Sequence, residues 1–125
     1  MNIRLQVLTL VTALLCVPAL SAHHSWPVSR ARLVTVKGTV TEFSWANPHP
    51  MIALDVQGND GTTEKWHVGG PAINRMERNG WTKATVKPGD VITGIGYQFG
   101  DGSKIIQLEK VVLADGRQLL VYGRR

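Results

Sequence analysis

The chain lacks most of the features that announce a reaction. Only one cysteine stands among its 125 residues. A lone thiol makes no internal disulfide and no cysteine-rich zinc site. There is no G-x-S-x-G elbow and no glycine-rich phosphate loop, so nothing points to a serine hydrolase or a nucleotide enzyme. The histidines show no H-x-H or H-x-x-x-H spacing of a familiar zinc site. Acidic residues are scarce, 9 against 14 lysines and arginines, giving a net charge of +5. The basic residues are scattered and cluster only at Arg30-Ala31-Arg32 and Arg124-Arg125, so no nucleic-acid partner is expected. Long apolar runs are missing apart from one at the start. The 43% hydrophobic content suits one globular domain rather than a disordered tail.

That one run has the form of an export signal. Arg4 supplies a positive start, Leu5 to Val17 is apolar, and Pro18-Ala19-Leu20-Ser21-Ala22 ends in small residues. The run is shorter than the span of about 20 residues that a transmembrane helix needs. The competing reading is an uncleaved anchor. Leu15 before Cys16 disfavours a lipoprotein signal, and cleavage after Ala22 is favoured although Leu20 is large for its position. The expected organisation is a signal peptide at 1–22, an arm at 23–30 and a single β domain at 31–125. Removing 22 of the 125 residues leaves 103, with no cysteine and, once Arg4 is lost, a charge of +4. A periplasmic or secreted bacterial protein is expected, with no stable membrane span after cleavage.

The body reads as short strands between turn signals. Leu33 to Phe43 alternates, with Val34, Val36 and Val40 on one face, and Gly38 marks a bend or bulge. Met51 to Val56 and Thr62 to Val68 flank the turn Asn59-Asp60-Gly61. Pro71 to Asn79 predicts a short helix stopped by Gly80. Val91 to Phe99, Lys104 to Leu113 and Gln118 to Tyr122 complete the strands. This order predicts a mainly β fold, a small five- to six-stranded OB-like barrel with one short helix between strands three and four. A small open sheet packed on one helix is the alternative.

Four histidines carry the chemical interest: His23, His24, His49 and His67. Cleavage after Ala22 would give His23 a free amine. Amine and ring Nδ1 can then chelate one ion, and a second imidazole completes an all-nitrogen set, a histidine brace, suited to Cu(II). His24 offers a variant through the amine and the intervening amide. His49 is the expected second imidazole, because Pro48 and Pro50 hold it outside the ladder hydrogen bonds. Met51 shares its face if the chain is extended there, and a thioether favours Cu(I). Plainer readings compete: a polar arm for His23-His24, a structural turn for His49, core packing for Met51 and plain surface for His67. Trp26, Trp45 and Trp66, with Asn47, are the candidate ligand-binding residues of a second reading, although tryptophans often fill small cores.

The quoted motifs resemble domain-of-unknown-function family 6152, a family of small exported bacterial proteins. The likeness rests on His23-His24-Ser25, Gly38-Thr39-Val40 and, most specifically, Trp45-Ala46-Asn47-Pro48-His49. Trp66, Pro71, Gly80-Trp81, Lys87-Pro88-Gly89-Asp90, Asp101-Gly102-Ser103 and Asp115-Gly116-Arg117 follow in order. The resemblance implies paired histidines after the signal and a histidine in the N-P-H turn, and no settled activity. One departure stands out: members often carry a glutamate three residues after the mid-chain tryptophan, where this chain has Gly69.

The sequence therefore leads to a non-enzymatic periplasmic protein that binds copper through His23, His49 and, less centrally, His24 and Met51. The alternative is an OB-like module that binds a peptide, glycan or envelope protein through its tryptophans. A copper oxidase or oxygenase is the third reading.

Overall fold

The computed structural model describes residues 26–123. The expected signal segment, His23 and His24 lie outside the described residues. Six strands and one helix follow in the order β1 (Val28–Ser44), β2 (Met51–Gln57), β3 (Thr63–Gly69), α1 (Ile73–Glu77), β4 (Val91–Phe99), β5 (Ile105–Val112) and β6 (Gln118–Leu120).

Alternation along β1 explains its orientation. Val36 and Val40 are buried at 5% and 1% exposure, while Thr35, Lys37, Thr39 and Thr41 face solvent. The strand is long enough to serve two neighbours. Its first part pairs antiparallel with β4, from Val28↔Phe99 to Thr39↔Val91. Its last part pairs antiparallel with β2, from Thr39↔Asp55 to Ser44↔Met51. A register shift between Val40 and Glu42 bends it between the two partners. Gly38 lies at the turning point, where a Cβ would stand 2.6 Å from the Asp55 carbonyl oxygen. Only glycine allows β2 to cross so closely.

The sheet closes on itself. β2 pairs with β3, β3 with β5, β5 with β4 and β4 with β1. All these pairings are antiparallel except β3–β5, which is parallel. β6 extends β5 antiparallel as a sixth strand. With the helix between β3 and β4, this is the OB-like arrangement expected from the element order. The inward positions Ile52, Leu54, Val68, Ile92, Ile106, Leu108 and Val111 form one core cluster.

The helix is shorter than the predicted Pro71 to Asn79. It ends at Glu77 because Gly80, with φ of +87°, turns the chain back. The Gly80 N–H donates to the Glu77 carbonyl, and the Trp81 N–H to that of Met76. Met76 and Trp81 are thereby driven inward, each 1% exposed. The Trp81 indole N–H donates to the Leu120 carbonyl at 3.1 Å, so its one polar atom is satisfied. β1 begins at Val28, inside the stretch read as an arm. Among the described residues no helix is long and apolar enough to cross a membrane.

Trp81→Ala removes a fully buried ring and one buried hydrogen bond. We expect a loss of about 3–5 kcal/mol in chemical denaturation monitored by circular dichroism. A loss below about 1 kcal/mol would contradict the core position assigned to Trp81.

Candidate functional site

The segment after β1 carries Trp45-Ala46-Asn47-Pro48-His49-Pro50, with a cis peptide between Asn47 and Pro48. Two proline rings limit its backbone, and Pro50 is buried. The segment is stitched to the end of β3 by polar contacts. The Gly70 N–H donates to the Pro50 carbonyl at 3.0 Å. The Asn47 Oδ1 accepts from the Ile73 N–H at 3.1 Å, which ties the segment to the start of α1. Asn47 is thus placed as a helix-start acceptor, and it does not line the pocket described below.

His49 sits half-buried between two partners. Its Nδ1 lies 3.0 Å from the Gly70 carbonyl oxygen. A carbonyl only accepts, so Nδ1 carries the proton and Nε2 keeps the lone pair. The Trp26 indole N–H reaches that Nε2 at 3.0 Å, with Nδ1 at 3.3 Å. The two rings meet edge-on, with centroids 4.7 Å apart and planes at 80°. On its other side Trp26 meets Phe99 at 5.4 Å and 86°. The Gly100 N–H donates to the Pro27 carbonyl at 2.8 Å, which holds the entering chain against the β4–β5 turn.

Trp26, His49 and Met51 line an apolar pocket of 380 Å³, with Pro27, Pro48, Phe99 and Ile105 completing its walls. The sequence pairs His49 with Met51, and both line this pocket. It assigns Trp26 to a different role, and Trp26 is the residue whose indole N–H covers the His49 ring. Phe99, Ile105 and the Gly70 carbonyl are not foreseen by it. The pair Gly69-Gly70 is the available signal, because glycine marks close backbone approach. A Cβ on Gly69 would collide with the Met51 Sδ and with the Trp26 ring. The missing side chain at 69 is therefore what admits both residues to this corner.

The remaining candidates stand elsewhere. Trp45 and Trp66 are half-buried and packed against the core. Trp45 stacks edge-on with Phe43 at 5.6 Å. The Trp66 indole N–H donates to Glu64 Oε2 at 3.2 Å. The Lys104 ammonium and that indole hold the Glu64 carboxyl below its ordinary value. Among the described residues, no group of three histidine, cysteine or carboxylate side chains is placed to hold a metal ion.

A model of a family of unknown function, DUF6152, matches residues 11–107. The chain belongs to this family. Among curated proteins no sequence matches it. Solved structures share its fold at low identity. The ZRD-deleted mutant of TiaS in complex with agmatine superposes with a TM-score of 0.51 at 17% identity, covering 78% of this chain and 24% of that one. A complex of TiaS with tRNA and ATP gives 0.50 at 18%, covering 74% and 20%. Rim1, a mitochondrial single-stranded DNA binding protein of S. cerevisiae, gives 0.50 at 12%, covering 66% and 92%. This DUF6152 chain thus spans about a quarter of TiaS or less. These likenesses show the fold alone.

Gly69→Val in this DUF6152 protein is expected to expel Trp26 from its seat. The expected readout is a red shift of tryptophan emission and a stability loss of about 1–3 kcal/mol. Unchanged emission would mean that Trp26 does not depend on the bare backbone at 69.

Proposed function

We propose that this protein is an exported, non-enzymatic copper-binding protein that uses His49 together with the amine and ring of His23. The observation that carries this reading is the state of His49. Its Nδ1–H is spent on the Gly70 carbonyl, an arrangement that orients the ring and leaves Nε2 as the ligating atom. That Nε2 faces Trp26, beside a pocket that also contains the Met51 side chain. Trp26 stands three residues after His23 in the sequence, so the chain spans at most about 11 Å between them. A tetragonal nitrogen set suits Cu(II), and the nearby thioether suits Cu(I). His24 supplies the variant chelate through the intervening amide.

Binding at His49 exchanges one partner for another. The ion takes the Nε2 lone pair, and the Trp26 N–H that covers the ring moves aside. The net hydrogen bond lost is worth only about 0.5–1.5 kcal/mol, far below a metal–imidazole chelate. Displacement of Trp26 also makes binding visible through fluorescence. Export to the periplasm or beyond belongs to the same proposal, because only signal removal after Ala22 creates the amine.

The alternative is a module that binds a peptide, glycan or envelope protein through its tryptophans. It calls for outward rings, and Trp45 and Trp66 are half-buried against the core. We propose no nucleic-acid role, since the basic residues are scattered along the chain.

The test is a Cu(II) titration of the protein beginning at His23, followed by paramagnetic resonance and tryptophan emission. One equivalent with a nitrogen-rich signal and a change in Trp26 emission is expected. Acetylating the amine of His23, or His49→Ala, should each weaken binding at least about tenfold, 1.4 kcal/mol. Equal affinity with the amine free and with it acetylated would refute the reading.

A further inference from the structure

The outer face of β1, β2 and β3 holds a second set of donors, two residues along from the first pocket. Glu42 lies opposite Ala53, and Ala53 opposite His67. One row across three strands thus carries a carboxylate, a methyl and an imidazole. In the next row on the same face, Ser44 pairs with Met51 and Met51 with Gly69. Strands stand about 4.8 Å apart, so Glu42 and His67 are separated by roughly 10 Å of backbone. The small Ala53 between them leaves a groove of 190 Å³, lined by Glu42, Ser44, Met51, Ala53 and His67.

The side chains in this groove are chemically idle. Neither the Glu42 carboxylate nor the His67 ring has a hydrogen-bond or ion-pair partner among the described residues. The adjoining row differs, for there Asp55 is paired with Lys65 at 2.8 Å. No lysine or arginine lines the groove to neutralise Glu42. A carboxylate, an imidazole and a thioether around one hollow attract a cation and offer nothing to an anion. Metal bonds of about 2.0–2.3 Å to nitrogen and oxygen would bridge the two side chains over Ala53.

We propose that Glu42, Met51 and His67 form a second copper site on this face. Imidazole and carboxylate serve Cu(II), and imidazole and thioether serve Cu(I). The absence of a three-member histidine, cysteine or carboxylate group among the described residues is consistent with this, because the third donor is sulfur. Met51 lines both hollows. The site uses described residues only and does not rest on the His23 reading.

The experiment therefore disables the first site. The protein carrying His23→Ala, His24→Ala and His49→Ala, with its terminal amine acetylated, is titrated with Cu(II), and with Cu(I) against a competing chelator. One equivalent of each ion is expected. His67→Gln should then weaken both at least about tenfold. Glu42→Gln should weaken Cu(II) more than Cu(I), and Met51→Leu the reverse. In the blocked protein without further substitution, copper should also protect His67 from acylation, which reads the site independently of any His67 variant's folding. No copper bound by the blocked protein, or full acylation of His67 with copper present, would overturn the proposal. So would Zn(II) binding tighter than either copper ion. Failure of the His23 titration leaves this measurement unaffected.

Discussion

Three backbone pairs between β3 and β5 hold both the fold and the candidate site together. His67↔Ile105, Val68↔Ile106 and Gly69↔Gln107 form the parallel contact in an otherwise antiparallel ring. Without it β3 would be an edge, with its donors and acceptors open to water or to another chain. With it, the ring from β1 through β2, β3, β5 and β4 has no gap. The same pairs bring Ile105 beside the His49 pocket and place Gly69 at the end of β3, under Met51 and Trp26. Closure of the sheet and the pocket walls rest on the same strand pairs.

The polar geometry at the pocket follows from what the backbone leaves unused. Gly70 follows the end of β3, so its carbonyl has no ladder partner to serve and can accept from His49. The two prolines around His49 have no N–H to donate. The imidazole satisfies the carbonyl and is in turn satisfied by an indole. Trp26 is itself packed edge-on against Phe99.

Much of this was legible beforehand. Alternation in Leu33 to Phe43, the turn at Asn59-Asp60-Gly61 and the bounds of Val91 to Phe99 all follow from local rules, because side-chain period and glycine turns are short-range properties. His49 and Met51 were legible as a pair for the same reason, since prolines on either side extend the chain. Phe99 and Ile105 were not, because nothing local distinguishes them from other strand ends. The predicted helix was too long at both ends. Ala72, with ψ of 151°, is still non-helical, and the start of α1 is held by Asn47 from a distant segment. The tryptophans divided in a way composition does not reveal. Trp81 fills the core, Trp45 and Trp66 cover its edge, and Trp26 takes the histidine.

The sequence by itself determined the strand pattern, the turn positions, the lack of any thiol beyond Cys16 and the presence of an imidazole clamped between prolines. These depend on residue chemistry and neighbours a few positions away. Only the tertiary structure decided which nitrogen of His49 meets a backbone carbonyl, that Trp26 covers the ring, and that Gly69 must be bare for both to fit. It also set Glu42 and His67 on either side of Ala53. Those facts arise from register across strands far apart in the chain, and one-residue slips in register would turn each of these side chains to the opposite face.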